Sequence, residues 1–167
     1  MRLTQVVVVL VAALIGLTAR PAAFALEVEF VADPEVHRPA AEEYREIWRE
    51  DGARILEALR DATGVRLREK HIRIIVYEGI SRSGRAGRPM YLRASYPAST
   101  KRATLVHELA HRYLVRLDSE TIYSDIHFPL SLLLFQVWSD LWGEDFARTQ
   151  ASVESSRAQR YTVSRKP

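Results

Sequence analysis

One stretch of five residues, His107-Glu108-Leu109-Ala110-His111, restricts the fold of this chain more than any other feature. Two histidines four positions apart can act together on a helix, where they stand one turn apart on the same side, separated by about 6 Å of rise. The flanking residues fit a helix and require it to be buried. Val106, Leu109, Ala110, Tyr113, Leu114 and Leu117 make one apolar stripe, on a helix that Ser99 or Thr100 caps and that reaches about Leu117. The fold must therefore place a polar, ionisable group in the middle of a helix otherwise committed to the core.

Imidazoles in this relation can converge on one metal ion. Zinc binds neutral histidine nitrogens at about 2.0 to 2.1 Å and, in catalytic sites, keeps one position open for water. Glu108, rotated about 100° from His107, points beside that position and is suited to take a proton from the water. The expected cofactor is Zn2+, with His107 and His111 as ligands and Glu108 as the catalytic base. The expected reaction is peptide-bond hydrolysis, in which a zinc-bound water is activated by Glu108, which then returns the proton to the leaving amine.

The segment Leu105-Val106-His107-Glu108-Leu109-Ala110-His111-Arg112-Tyr113 resembles the zincin superfamily, and more narrowly the small gluzincin-like peptidases. The metzincin branch needs glycine three and histidine six residues after the second ligand, where this chain has Leu114 and Leu117. Thermolysin-like gluzincins carry a glutamate ligand on a downstream helix, followed four residues later by an aspartate that orients a zinc histidine. The stretch Gln136-Val137-Trp138-Ser139-Asp140-Leu141-Trp142-Gly143 looks similar, with Gln136 in the ligand's place. The resemblance, which spans residues 89–148, implies a third metal ligand from this helix. Asp140 is assigned that role, because a carboxylate amid an apolar run needs a partner. Gln136 as ligand with Asp140 as orienter, Glu144, and the loop acid Glu120 stay open. Tyr113, Tyr123 and His127 are candidates to donate a hydrogen bond to a developing oxyanion. His37 and His71 look incidental.

The rest of the chain bounds this reading. Met1-Arg2, the apolar run 6–17 and the small residues of Ala23-Phe24-Ala25 have the form of a cleaved signal peptide ending at Ala25, which implies export to the periplasm or beyond the cell. Arg20 and Pro21 interrupt the run too early for a membrane span of about 20 residues. The 167 residues less these 25 leave 142, enough for one domain, read as residues 26–148 followed by a charged C-terminal tail, 149–167. Without Arg2 and Arg20 the balance is 22 basic to 21 acidic residues, with the arginines spread among acids, so a nucleic-acid partner is not expected. The expected partner is a peptide or protein substrate. The absence of cysteine excludes disulfides, thiolate zinc sites and a cysteine nucleophile.

Hydrophobic periodicity predicts an α+β fold, and the resemblance implies that it is zincin-like. It begins with an extended segment over 26–31 and an N-terminal helix over 39–62, whose stripe is Tyr44, Ile47, Trp48, Ile55, Leu56 and Leu59; Gly52 weakens this helix and Gly64 closes it. Strands follow over 66–77 and 89–95, joined as a mobile basic hairpin containing Arg82, Arg85 and Arg88. Pro89 places the second strand at a sheet edge that lines the cleft, where a peptide could add as a further strand. The motif helix and one apolar helix over 129–148 complete the domain. Two other functions share this framework: a non-catalytic envelope binding module, and a zinc amidase acting on cell-wall peptides.

Overall fold

Arg38-Pro39 opens the first long helix, because a proline in the first turn has no N–H to leave unpaired, and Gly64 ends it at φ 67° with its N–H on Arg60 O. The computed structural model describes residues 26–84, 87–114 and 127–164. Its elements are β1 (Glu27–Ala32), a 3-10 turn (Glu35–His37), α1 (Arg38–Thr63), β2 (His71–Tyr77), β3 (Met90–Arg93), α2 (Ala98–Leu114), α3 (His127–Trp142) and α4 (Glu144–Ser164). The described residues thus form a mixed α+β structure. Gly52 does not interrupt α1; it lies against the Trp48 ring, so close that an added Cβ would come within 2.8 Å of it. None of the helices described is long and apolar enough to cross a membrane. Residues 1–25, read from the sequence as a leader, lie outside the described residues.

The three strands form one sheet in the order β1-β2-β3, and both pairs are parallel. This corrects the expected hairpin. A parallel pair needs a connection that returns the chain, and residues 78–89 supply it, with no helix among those of them that are described. The alternation predicted for β2 is present: Ile72, Ile74 and Val76 are buried with Phe30, Met90 and Leu92 on the side that meets the helices. Glu29, His71 and Arg73 are exposed, with Arg73 Nε 3.5 Å from Glu29.

β3 is an edge strand, as Pro89 suggested, but it is not open. Arg82 exchanges two backbone hydrogen bonds with Tyr91 at 2.9 Å, Arg93 N donates to Ser81 Oγ, and Tyr44 donates to Arg93 O at 3.0 Å. The expected strand addition at this edge is therefore corrected: a peptide would find these groups already paired. The basic loop is anchored as well. Buried Arg112 donates to Ser83 O and Arg88 O, each at 2.8 Å, and pairs with Glu69.

Helix α1 touches β1, β2, α2 and α3, and so forms the central spine. Asp51 on α1, 7% exposed, accepts from Arg54 at 2.7 Å and from Trp142 Nε1 at 3.1 Å, while Arg54 also donates to Leu141 O. These contacts hold the end of α3 on α1. The single apolar helix expected over 129–148 is two helices. Gly143, at φ 90°, separates α3 from α4, and the Trp142 and Phe146 rings pack across the break, tilted at 53° with centroids 4.8 Å apart. Residues 149–164 of the segment read as a charged tail belong to α4.

Candidate metal centre

The motif lies in the last half of α2, whose Leu105, Val106, Leu109 and Ala110 are fully buried. That burial fixes the helix's rotation, so His107, Glu108 and His111 have little freedom except at their side-chain torsions. The two rings face each other with Nε2 atoms 3.1 Å apart and centroids 5.0 Å apart. Two nitrogens at that separation can both lie about 2.0 to 2.1 Å from a common point and subtend roughly 100° there, close to a tetrahedral angle.

The second nitrogen of His107 meets a residue that the sequence reading missed. Its Nδ1 is buried and lies 3.4 Å from Oε2 of Glu154 on α4, a charge contact and not a well-aligned hydrogen bond. Burial opposes protonation of this ring and is the largest influence on it, but the contact with Glu154 and the charge of Glu108 outweigh it, and the His107 pKa is raised. Burial likewise works to raise the Glu154 pKa, and the interactions with His107, Arg157 and His111 overcome it, so that Glu154 is held below the usual carboxylate range. The two shifts agree: a carboxylate behind Nδ1 favours a proton on that nitrogen and leaves the Nε2 lone pair free to face His111.

Glu108 is 6% exposed. Burial pushes its carboxyl up to about 7; the charges of His107 and Arg112 pull the other way, and that of Glu154 adds to the rise. An acid whose pKa lies near neutrality can both take and return a proton.

Glu154 was hidden because the apolar helix was read over 129–148 and the residues after it as a charged tail with no inward face. Ala147, Gln150, Glu154 and Arg157 recur at helical spacing, and the buried Ala147 and Gln150, 0% and 2% exposed, mark this as the inward face of α4. That periodicity is present in the sequence and could have been followed.

Asp140, assigned as third ligand, is not brought to the histidine pair. It is exposed and accepts a hydrogen bond from Gln136 Nε2 at 2.8 Å. Glu144 is also exposed and pairs with Arg148 at 2.6 Å. The carboxylate expected to be stranded in apolar surroundings is solvated, because the stripe 136-140-144 faces away from the core. Tyr113 is turned towards α1, with its hydroxyl 3.4 Å from Leu56 O and burial pushing its pKa up to about 12. Glu120, Tyr123 and the side chain of His127 lie outside the described residues. His37 ends the 3-10 turn and His71 lies on the exposed side of β2.

No protein-family model, curated protein or solved structure matches this chain. Among the described residues no three histidine, aspartate or glutamate side chains form a set able to hold one metal ion. The fit to a metal therefore rests on the histidine pair: two half-buried rings with convergent nitrogens, one of them backed by a carboxylate at its far nitrogen.

Proposed function

We propose that this chain is an exported zinc-dependent peptidase with a zincin-like site, in which His107 and His111 would hold the metal through Nε2 and Glu108 acts as general base. The observation that carries the reading is the 3.1 Å approach of the two Nε2 atoms beside a buried carboxyl raised to about 7. Bound zinc would supply Lewis acidity, lowering the pKa of a water towards about 7 and polarising a substrate carbonyl.

The chain's own groups supply the rest. Glu154 holds the proton of His107 on Nδ1, so that Nε2 presents its lone pair, and thereby takes the orienting role that the alternative with Gln136 as ligand gave to Asp140. Glu108 takes a proton from the attacking water as the C–O bond forms. It delivers that proton to the amide nitrogen as the C–N bond breaks, which makes the amine a leaving group. Burial of Glu108 favours this cycle, because a carboxyl with a pKa near 7 spends comparable time in each of the two states the cycle uses. Export rests on the leader-like residues 1–25.

The test is a metal analysis of purified protein together with hydrolysis of an unfolded protein substrate. The expected result is about one zinc per chain and cleavage that falls by a factor of roughly 100 to 10,000 in Glu108→Gln. Protein that takes up no zinc, or cleavage indifferent to Glu108, overturns the reading. Zinc without cleavage would identify a binding module, and cleavage confined to muropeptides a cell-wall amidase.

A further inference from the structure

One turn beyond Glu154 on α4, Arg157 reaches the same site with a cation that the mechanism does not use. Its guanidinium carbon lies 4.2 Å from the centroid of the Tyr96 ring, and its side chain is 19% exposed. Its guanidinium lies 3.4 Å from one oxygen of Glu154, whose other oxygen lies 3.4 Å from His107 Nδ1, so one carboxylate links it to the histidine pair. A guanidinium carries five N–H donors. Among the described residues, Glu154 is the acceptor that Arg157 meets, at a long 3.4 Å, and that carboxylate is already engaged with His107. Arg112 makes the contrast plain. It is buried for a structural purpose, and three acceptors share its donors. Arg157, by contrast, lies over the face of an aromatic ring, which orients a guanidinium plane without consuming its N–H groups. Arg93 lies 5.5 Å from the same ring and adds positive charge, although Glu78 pairs with it at 2.9 Å.

We propose that Arg157 is a specificity residue of this site, and that it binds a carboxylate of the peptide substrate through the N–H groups left free by its stacking on Tyr96. This rests on the peptidase reading for the nature of the ligand, since a peptide presents carboxylates at its C-terminus and on acidic side chains. A planar, two-oxygen anion is the group that a guanidinium fork matches.

The experiment is a calorimetric titration of zinc-loaded Glu108→Gln protein with four N-acetylated tetrapeptides: a free acid and its C-terminal amide, each carrying either glutamate or glutamine. The carboxylate that matters, terminal or side-chain, gives about tenfold tighter binding than its neutral counterpart. Arg157→Gln abolishes that preference while leaving the affinity for the fully neutral peptide unchanged, and Arg157→Lys keeps part of it. A preference that survives in Arg157→Gln, equal binding of all four peptides, or binding of none overturns the proposal. Failure of the peptidase reading looks different: Arg157-dependent binding would persist while the wild-type protein leaves every peptide intact.

Discussion

Helices α3 and α4 each carry acids that could serve the histidine pair, and they treat them in opposite ways. α3 is strongly apolar; Leu130, Leu134, Val137, Trp138 and Leu141 are buried, and Asp140 stands out among them. Yet Asp140 shares a stripe with Gln136 and with Leu132, which is 62% exposed, and that stripe faces solvent. α4 is far more polar and looks like a surface tail. Its Glu154 nevertheless points inward, because Ala147 and Gln150 on the same stripe are buried. The difference teaches that a carboxylate's environment follows the face it occupies and not the average character of its helix. An apolar helix can solvate its one acid by turning it outward, which removes the burial cost on which the assignment of Asp140 relied.

The sharpest way to break this comparison is to remove the two acids separately. Glu154→Ala should lower zinc affinity by about 100-fold, the upper end of what loss of a carboxylate behind a metal-binding histidine costs, and hydrolysis at limiting zinc should fall with it. Asp140→Ala should change zinc affinity less than twofold, and unfolding free energy by less than about 0.5 kcal/mol, as for other exposed sites. Competition titration with a chromophoric zinc chelator measures both. If Asp140→Ala loses the metal and Glu154→Ala keeps it, the roles assigned to α3 and α4 are reversed.

A second test concerns the buried acid that neither helix supplies. Folding raises the Glu108 carboxyl from its ordinary 4.5 to about 7. The folded state therefore holds that proton more tightly than the unfolded chain. The stability this contributes is complete below pH 4.5 and is lost as pH rises towards 7, up to about 3 kcal/mol. His107, also raised, acts in the same direction at and above its ordinary 6.5. Glu154, which is lowered, acts oppositely and withdraws stability as pH falls below 4.5. Metal-free protein should thus be most stable near pH 5 and weaken towards pH 8, and Glu108→Gln should remove most of that slope. Urea midpoints of metal-free protein at the two pH values decide it; a wild-type midpoint that does not move would show that Glu108 is ionised at little cost.

Much of this architecture was legible in the sequence because it rests on short-range signals. The stripe of α1, its stop at Gly64, the alternating core of β2 and the buried flanks of the zinc motif each follow from periods of 3.6 or 2 that one element carries by itself. The misreadings arose where two elements must be related. Nothing within 71–77 or 90–93 says whether those strands pair parallel, and the return of the chain through Arg82 along the outer edge of β3 depends on contacts with Arg112 thirty residues later. Likewise, Asp140 and Glu154 both follow a glutamine by four residues. The local pattern could not choose between them, because the choice depends on how α3 and α4 pack.

That packing turns on Gly143, which gives the smallest effect and the most direct one. At φ 90° it occupies a region that side chains avoid, and a Cβ added there would meet nothing within 4 Å. Gly143→Ala therefore isolates the backbone preference, with an expected loss of about 1 kcal/mol in unfolding free energy. Because the helix break aims α4, relief of the strain by straightening would carry Glu154 away from His107, and zinc affinity should fall further than stability does. Gly143→Asn, which tolerates left-handed backbone better than alanine, should recover part of both losses. If Gly143→Ala costs stability while zinc affinity stays at the wild-type value, then α4 is held over the motif by its own contacts, and the break merely permits what Ala147, Gln150 and the Trp142–Phe146 contact enforce.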